Sequence, residues 1–188
     1  VKRRYELKAR AARQAATRQR IVEAAVGLHT SVGPAATTIS AIAERAGVQR
    51  HTVYAHFPDE STLFGACSAH WAAANPFPDP TPWLAEVDAE RRLRAALSAV
   101  YQWYERVEAA LTLFARDADA VPSGLRDARE ADMARLADGL AHGLPRRKVV
   151  RAAVGHALAF ETWRSLVRRQ GLSRRDAVAA MVQLVMTV

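Results

Sequence analysis

Apolar residues recur at helical spacing along nearly the whole chain. Ile21, Ala24, Ala25 and Leu28 form a stripe spaced three and four apart, and Gly33-Pro34 ends it. Residues 5–16 lack Gly and Pro and are rich in Ala and Arg, so this first helix is expected to extend backwards. Ile39, Ile42, Ala43 and Ala46 share one face of a second, short helix. Thr38 is placed to cap its start, and Gly47 closes it where a left-handed residue is wanted. In a third helix Val53 and Phe57 sit four apart and point inward, which leaves Arg50, His51, Thr52, Tyr54 and His56 facing out. Pro58 stops that helix, and Asp59 is placed to cap a fourth running through Trp71. Residues 75–82 read NPFPDPTP, four prolines in eight residues, a connector that no helix crosses.

Beyond the connector the period stays helical. Trp83 to Val107 carries Leu93, Leu97, Val100, Tyr101 and Tyr104 at helical spacing, and Ala109 to Ala118 reads as a separate short helix ended by Val121-Pro122. Ser123 is placed to cap an amphipathic helix with Leu125, Met133, Leu136 and Leu140 inward, ended by Gly143 to Pro145. Arg147 to Arg169 reads as one helix that is apolar over more than one face through Val150, Val154, Ala157, Leu158 and Phe160, so a single partner helix cannot cover it. After Gly171 and a capping Ser173, Val178, Met181, Val182 and Val185 make a last stripe. Neither strand alternation nor an internal repeat is present, so the fold class is all-α.

Charge changes the picture at one end. The 188 residues carry a formal net charge of +8, and residues 1–20 hold eight Lys or Arg against the single Glu6. Residues 65–188 are nearly balanced, with 17 basic and 14 acidic side chains. Either the N-terminal end meets a polyanion or it is a solvated basic tail; beside a helix-turn-helix the first reading is favoured. Cys67 is the only cysteine, so no disulfide forms within the chain, and a reducing compartment fits. Arginines interrupt every apolar stretch at the start, and no run of about 18 apolar residues could span a membrane, so a cytoplasmic location is expected. The basic residues are 24 Arg and 3 Lys, which fits the codons of a GC-rich bacterial genome. Cys67 and His70 are three apart on one helix, yet no further ligand completes a metal set, and core packing is the stronger reading. Glu161 on its apolar helix reads as a salt-bridge partner for Arg164 or a dimer contact rather than a general acid. With no phosphate loop, nucleophile elbow or zinc-protease motif, neither an enzyme nor a cofactor is expected.

The short helix, the turn at Gly47 and the polar-faced third helix have the layout of a helix-turn-helix, whose second helix enters the DNA major groove. The pattern Thr38, Ile42-Ala43, Ala46-Gly47-Val48, Thr52, Tyr54, His56-Phe57 and Leu63 resembles the DNA-binding domain of the TetR family of bacterial transcriptional regulators, over about 45 residues from Arg18 to Leu63. The resemblance implies an N-terminal three-helix helix-turn-helix DNA-binding domain, residues 1–58 with the basic arm, and a C-terminal helical domain for ligand binding and dimerisation, residues 59–188. It implies a repressor that binds double-stranded DNA at a palindromic operator. It places a base contact at Arg50, and phosphate contacts at Thr38, Thr52, Tyr54 and His56; the fork of Arg50 also matches the guanine O6/N7 edge, and Gln49 beside it can pair with adenine or with phosphate. The basic arm is expected to add salt-dependent affinity, by reaching into the flanking minor groove.

Two positions depart from that pattern. His51 stands where the family commonly has Gly and is a candidate for a DNA contact of its own. Glu60 stands where the family commonly places a phosphate-binding Lys. A homodimer through the last two helices is expected to close a four-helix bundle. A small apolar or amphipathic effector of unknown identity is expected to meet Trp71, Tyr101, Tyr104, Phe114, Met133, His156 and Phe160, each of which also reads as plain core. The alternative is a helical small-molecule-binding protein whose headpiece has lost specific operator binding, which Glu60 and His51 keep open.

Overall fold

The computed structural model describes residues 2–145 and 147–188. The side chains of Lys2, Arg3 and Arg4, counted in the basic arm, lie outside the described residues. Among those described there are helices and no strand: α1 Lys2–His29, α2 Ile39–Ala46, α3 Arg50–His56, α4 Glu60–Ala74, α5 Thr81–Leu84, α6 Ala89–Arg116, α7 Ser123–Leu140, α8 Arg147–Leu158, α9 Phe160–Arg164 and α10 Arg174–Thr187. A 3-10 turn at Ala118–Ala120 and a π-helical turn at Ser165–Arg169 complete the set. No described helix is long and apolar enough to cross a membrane.

The chain packs as two compact units. The first holds Val1–Pro76 and Thr112–Leu125, the second Phe77–Leu111 and Arg126–Val188. The boundary expected after residue 58 separates proposed roles; the packing boundary lies after α4 because Leu63 and Cys67 are buried with α1 and α2 in one core. That core is built from Ile21, Val22, Ala25, Ile42, Ala43, Val53 and Phe57. Burial pushes the Cys67 thiol up to about 12, so it stays a protonated, inert filler.

Helix α6, of which residues 89–111 belong to the second unit, buries Leu93, Ala96, Leu97, Val100, Tyr101, Trp103, Tyr104 and Val107. It does not stop near Val107, as the apolar pattern suggested, but runs unbroken to Arg116, because no Gly or Pro lies between Ala89 and Arg116. It begins at Ala89 rather than at Trp83, with the Asp88 carboxylate accepting from the Arg91 N–H at 2.8 Å. Arg92 is buried and donates to the carbonyls of Glu86, Val87, Leu140 and His142, tying the free carbonyls at the end of α7 to the start of α6.

The predicted single helix over residues 147–169 is also divided. Ala159 is extended (φ −67°, ψ 137°) and separates α8 from α9. The last carbonyls of α8 are taken by two hydroxyls of α6: Tyr101 donates to Ala157 O at 2.8 Å and Tyr104 to Leu158 O at 2.6 Å. Desolvation raises both phenols above their ordinary value, Tyr104 to about 12. Glu161 pairs with Arg164 at 2.8 Å, the bland role expected for it.

Candidate nucleic-acid interface

Each part of the helix-turn-helix has a local cause. The Thr38 hydroxyl accepts from the Ala41 N–H at 3.1 Å and starts α2. Gly47 adopts φ 64°, ψ 41°, and its turn returns the Val48 N–H to Ala43 O at 3.0 Å, so the chain leaves α2 sharply enough to begin α3 three residues later. Val53 and Phe57 are buried, at 0% and 2% exposure, which fixes the rotation of α3. Arg50, His51 and Tyr54 are consequently exposed, and Thr52 and His56 half-buried. Gln49, the residue before α3, is exposed as well and makes no side-chain cap.

The loop before α2 is held from a distant part of the chain. Asp117 is buried and accepts from the Ala35 N–H at 3.1 Å and from both Nε and Nη2 of Arg116, while Arg116 Nη2 also donates to Val32 O at 2.8 Å. Gly33 between them has φ 98°, and a Cβ there would collide with the Asp117 carboxylate and the Arg116 guanidinium. The Arg116 guanidinium and the Ala35 N–H hold the Asp117 carboxyl below its ordinary value. No periodicity argument could have found this clasp, since it joins residues 82 apart in sequence.

A cleft of about 540 Å³ opens beside α3, lined among others by His29, Thr37, Thr38, Ile39, Ser40, Arg50, Tyr54, Glu60 and Phe64. Thr38, Arg50 and Tyr54 thus share one surface, with the α2 N-terminus presenting backbone N–H groups beside them. Glu60 lies on the same surface and adds a carboxylate to it. It starts α4 behind the Asp59 cap, whose carboxylate accepts from the Thr62 N–H at 2.7 Å. His29 stacks on Phe64 at 4.7 Å between centroids, and desolvation lowers its pKa from the ordinary histidine value.

The residues expected to line an effector pocket are divided between the two units. Trp71 and Phe114 meet edge to face at 5.6 Å in the first unit. Tyr104 and Phe160 pack together in the second, with Trp163 stacked on Phe160 at 5.5 Å. Tyr101 lies beside Tyr104, Met133 is half-buried and His156 exposed. Sequence reasoning passed over Trp163, which is fully buried and whose indole N–H has no hydrogen-bond partner among the described residues. Its place one turn past a helix break carries no signal in the apolar pattern.

Comparison with known proteins agrees with this geometry. Residues 21–67 match the family described as bacterial regulatory proteins, tetR family, so the first unit carries the N-terminal DNA-binding domain of that family. The whole chain has the TetR-family fold. It is similar to a TetR-like transcriptional regulator from Rhodococcus sp. RHA1 (17% identity, 90% of this chain and 93% of that one, TM-score 0.58). PfmR, a TetR-family transcriptional regulator from Thermus thermophilus, superposes with TM-score 0.61 at 20% identity, covering 89% of this chain and 97% of its own. NalD, the secondary repressor of the MexAB-OprM multidrug efflux pump in Pseudomonas aeruginosa, does so with TM-score 0.57 at 19% identity, covering 92% and 96%. No curated protein matches the sequence.

Proposed function

We propose that this protein is a transcriptional repressor that binds a palindromic DNA operator as a homodimer and is released by a small amphipathic ligand. The observation that carries the reading is the rotation of α3: Val53 and Phe57 are buried, and Arg50, His51 and Tyr54 are left exposed at the surface of a TetR-family headpiece. Arg50 reads a base edge, with Gln49 and His51 beside it. Thr38, Thr52, Tyr54 and His56 grip phosphates and fix register.

The dimer reading is supported by α8 and α10, each of which has two apolar stripes. One stripe of each is buried within the chain: Val150, Val154 and Ala157 on α8, and Val178, Val182 and Val185 on α10. The second runs through Val149, Ala152 and Ala153 on α8 and through Ala180, Met181 and Leu184 on α10, at helical spacing, with Val149 52% and Leu184 39% exposed. The effector reading is supported by the buried indole N–H of Trp163, without a hydrogen-bond partner among the described residues and beside Phe160 and Tyr104, which suits an acceptor oxygen on an otherwise apolar molecule. Such a ligand acts by binding more tightly to a conformer whose two headpieces no longer fit successive major grooves.

A second reading, a ligand-binding protein that has lost operator recognition, is favoured by Glu60 on the same cleft as Arg50 and Tyr54. Selection of bound sequences from a random duplex pool, at near-physiological salt, decides between the two. The repressor reading expects an enriched palindrome with half-sites about one helical turn apart. A folded protein that enriches no sequence would leave the ligand-binding reading in its place.

A further inference from the structure

We propose that the first five turns of α1 are a helical rail that follows the phosphate backbone of duplex DNA flanking the half-site. The inference rests on the reading that the headpiece binds DNA, and adds a second contact surface with a separate task. The observation behind it is the density of cations on one element: residues 1–20 hold eight Lys or Arg against the single Glu6. In the chain from Glu86 onward acidic side chains are interspersed and several arginines pair with them, Arg91 with Glu86, Arg94 with Glu90, Arg151 with Asp138, Arg168 with Glu108 and Arg174 with Glu105. On α1, Lys8, Arg10, Arg13 and Arg20 are exposed, and no ion pair holds any of them among the described residues. Unpaired cations on one element concentrate positive potential, and the partner that suits them is a polyanion.

Geometry says how the rail meets the duplex. The backbone is helical from Lys2 to His29, and its C-terminal half is anchored by Ile21, Val22, Ala24 and Ala25 in the headpiece core. The Arg18 guanidinium lies 4.6 Å from the centre of the Phe57 ring, directly after α3. The helix therefore leaves the headpiece beside the end of the recognition helix, and the 16 residues from Lys2 to the turn before Arg18 reach about 24 Å further, the rise of about 7 base pairs. A helix about 10–12 Å across does not enter a minor groove about 6 Å wide, so the minor-groove reach expected from sequence gives way to contacts along the backbone. Such contacts carry affinity and salt dependence but no base preference.

The test compares the full-length protein with a Lys8→Gln/Arg10→Gln/Arg13→Gln variant, which keeps good helix formers at three exposed positions. Binding is measured against salt on three duplexes: the selected operator ending at its half-sites, the same operator extended by about 10 base pairs on each side, and a random duplex of the longer length. The expected result is a steeper salt slope for the native protein on the extended operator. In the variant that slope falls by about 0.9 for each lost contact, up to about 2.7 per protomer, with the operator-to-random ratio unchanged. Equal slopes for the two proteins on every duplex would overturn the rail. So would a variant that loses the operator-to-random ratio, because the arm would then be reading bases. Native protein that shows no operator preference, yet a slope that the variant lowers on random DNA, would sink the operator reading and leave the rail standing.

Discussion

Two side chains of the headpiece carry separate expectations, Arg50 from the base contact proposed for it and His29 from the proton that its burial disfavours. Arg50 is exposed at the start of α3, on the cleft it shares with Tyr54 and Glu60. Arg50→Ala should cost about 1–3 kcal/mol against the selected operator and relax preference at one base pair in each half-site. Titration of single-base operator variants checks this, and an equal loss on operator and random DNA would remove Arg50 from base readout. His29 is 6% exposed against Phe64, and desolvation lowers its pKa. The unfolded chain takes up a proton as the pH drops through about 6.5, while the folded chain resists it, so folding stability falls with pH in that window. His29→Phe keeps a ring against Phe64 and removes the titration. Urea midpoints at pH 7.5 and 5.5 should differ for the native protein and move closer together in the variant. Parallel curves for the two would show that another group governs the loss.

The elements that could be read from sequence are those ended by local chemistry. The Thr38 cap and left-handed Gly47 bound α2, the Asp59 cap starts α4, and the Ser173 hydroxyl accepts from the Asp176 N–H to start α10. Each signal lies within four residues of the structure it sets, so the helix-turn-helix was legible almost residue by residue. The elements that could not be read are ended, or not ended, by partners far away. The break at Ala159 has no Gly or Pro to announce it; it coincides with hydroxyls from residues 56 and 54 positions away on α6. The aromatic residues expected around an effector are divided between the two units for the same reason, since aromatic character places a side chain inside without saying in which unit. The break itself yields a prediction. Tyr104→Phe should destabilise the protein by about 1–3 kcal/mol, because the Leu158 carbonyl is then buried without a donor. Chemical denaturation measures it, and an unchanged midpoint would mean that the hydroxyl follows the break rather than supporting it.

At the scale of the whole molecule the question is what covers the second stripes of α8 and α10. A run of Val149, Ala152 and Ala153 on one helix and Ala180, Met181 and Leu184 on another, each exposed or half-exposed, is apolar surface that water disfavours, and the two helices pack against each other within one chain. A second copy presents the same stripes, so a two-fold axis matches each against its equivalent, and small residues such as Ala152 and Ala153 let helices approach closely. A stable interface of this kind needs about 800 Å² from each partner, which two helices of 12 and 14 residues can supply between them. Because symmetry places every substitution in the interface twice, Leu184→Glu should bring two uncompensated carboxylates into an apolar contact. The native protein is then expected to sediment at twice the 20.6 kDa of one chain, and the variant at that single mass. The DNA readout separates dissociation from unfolding. A folded variant should lose most of its affinity for the full palindrome while its binding to an isolated half-site stays near the native value, since each headpiece keeps its own core of Ile21, Ile42 and Val53. A variant that remains dimeric would move the interface off α10. One that loses half-site binding as well would tie the headpiece to the dimer more closely than two separate cores allow.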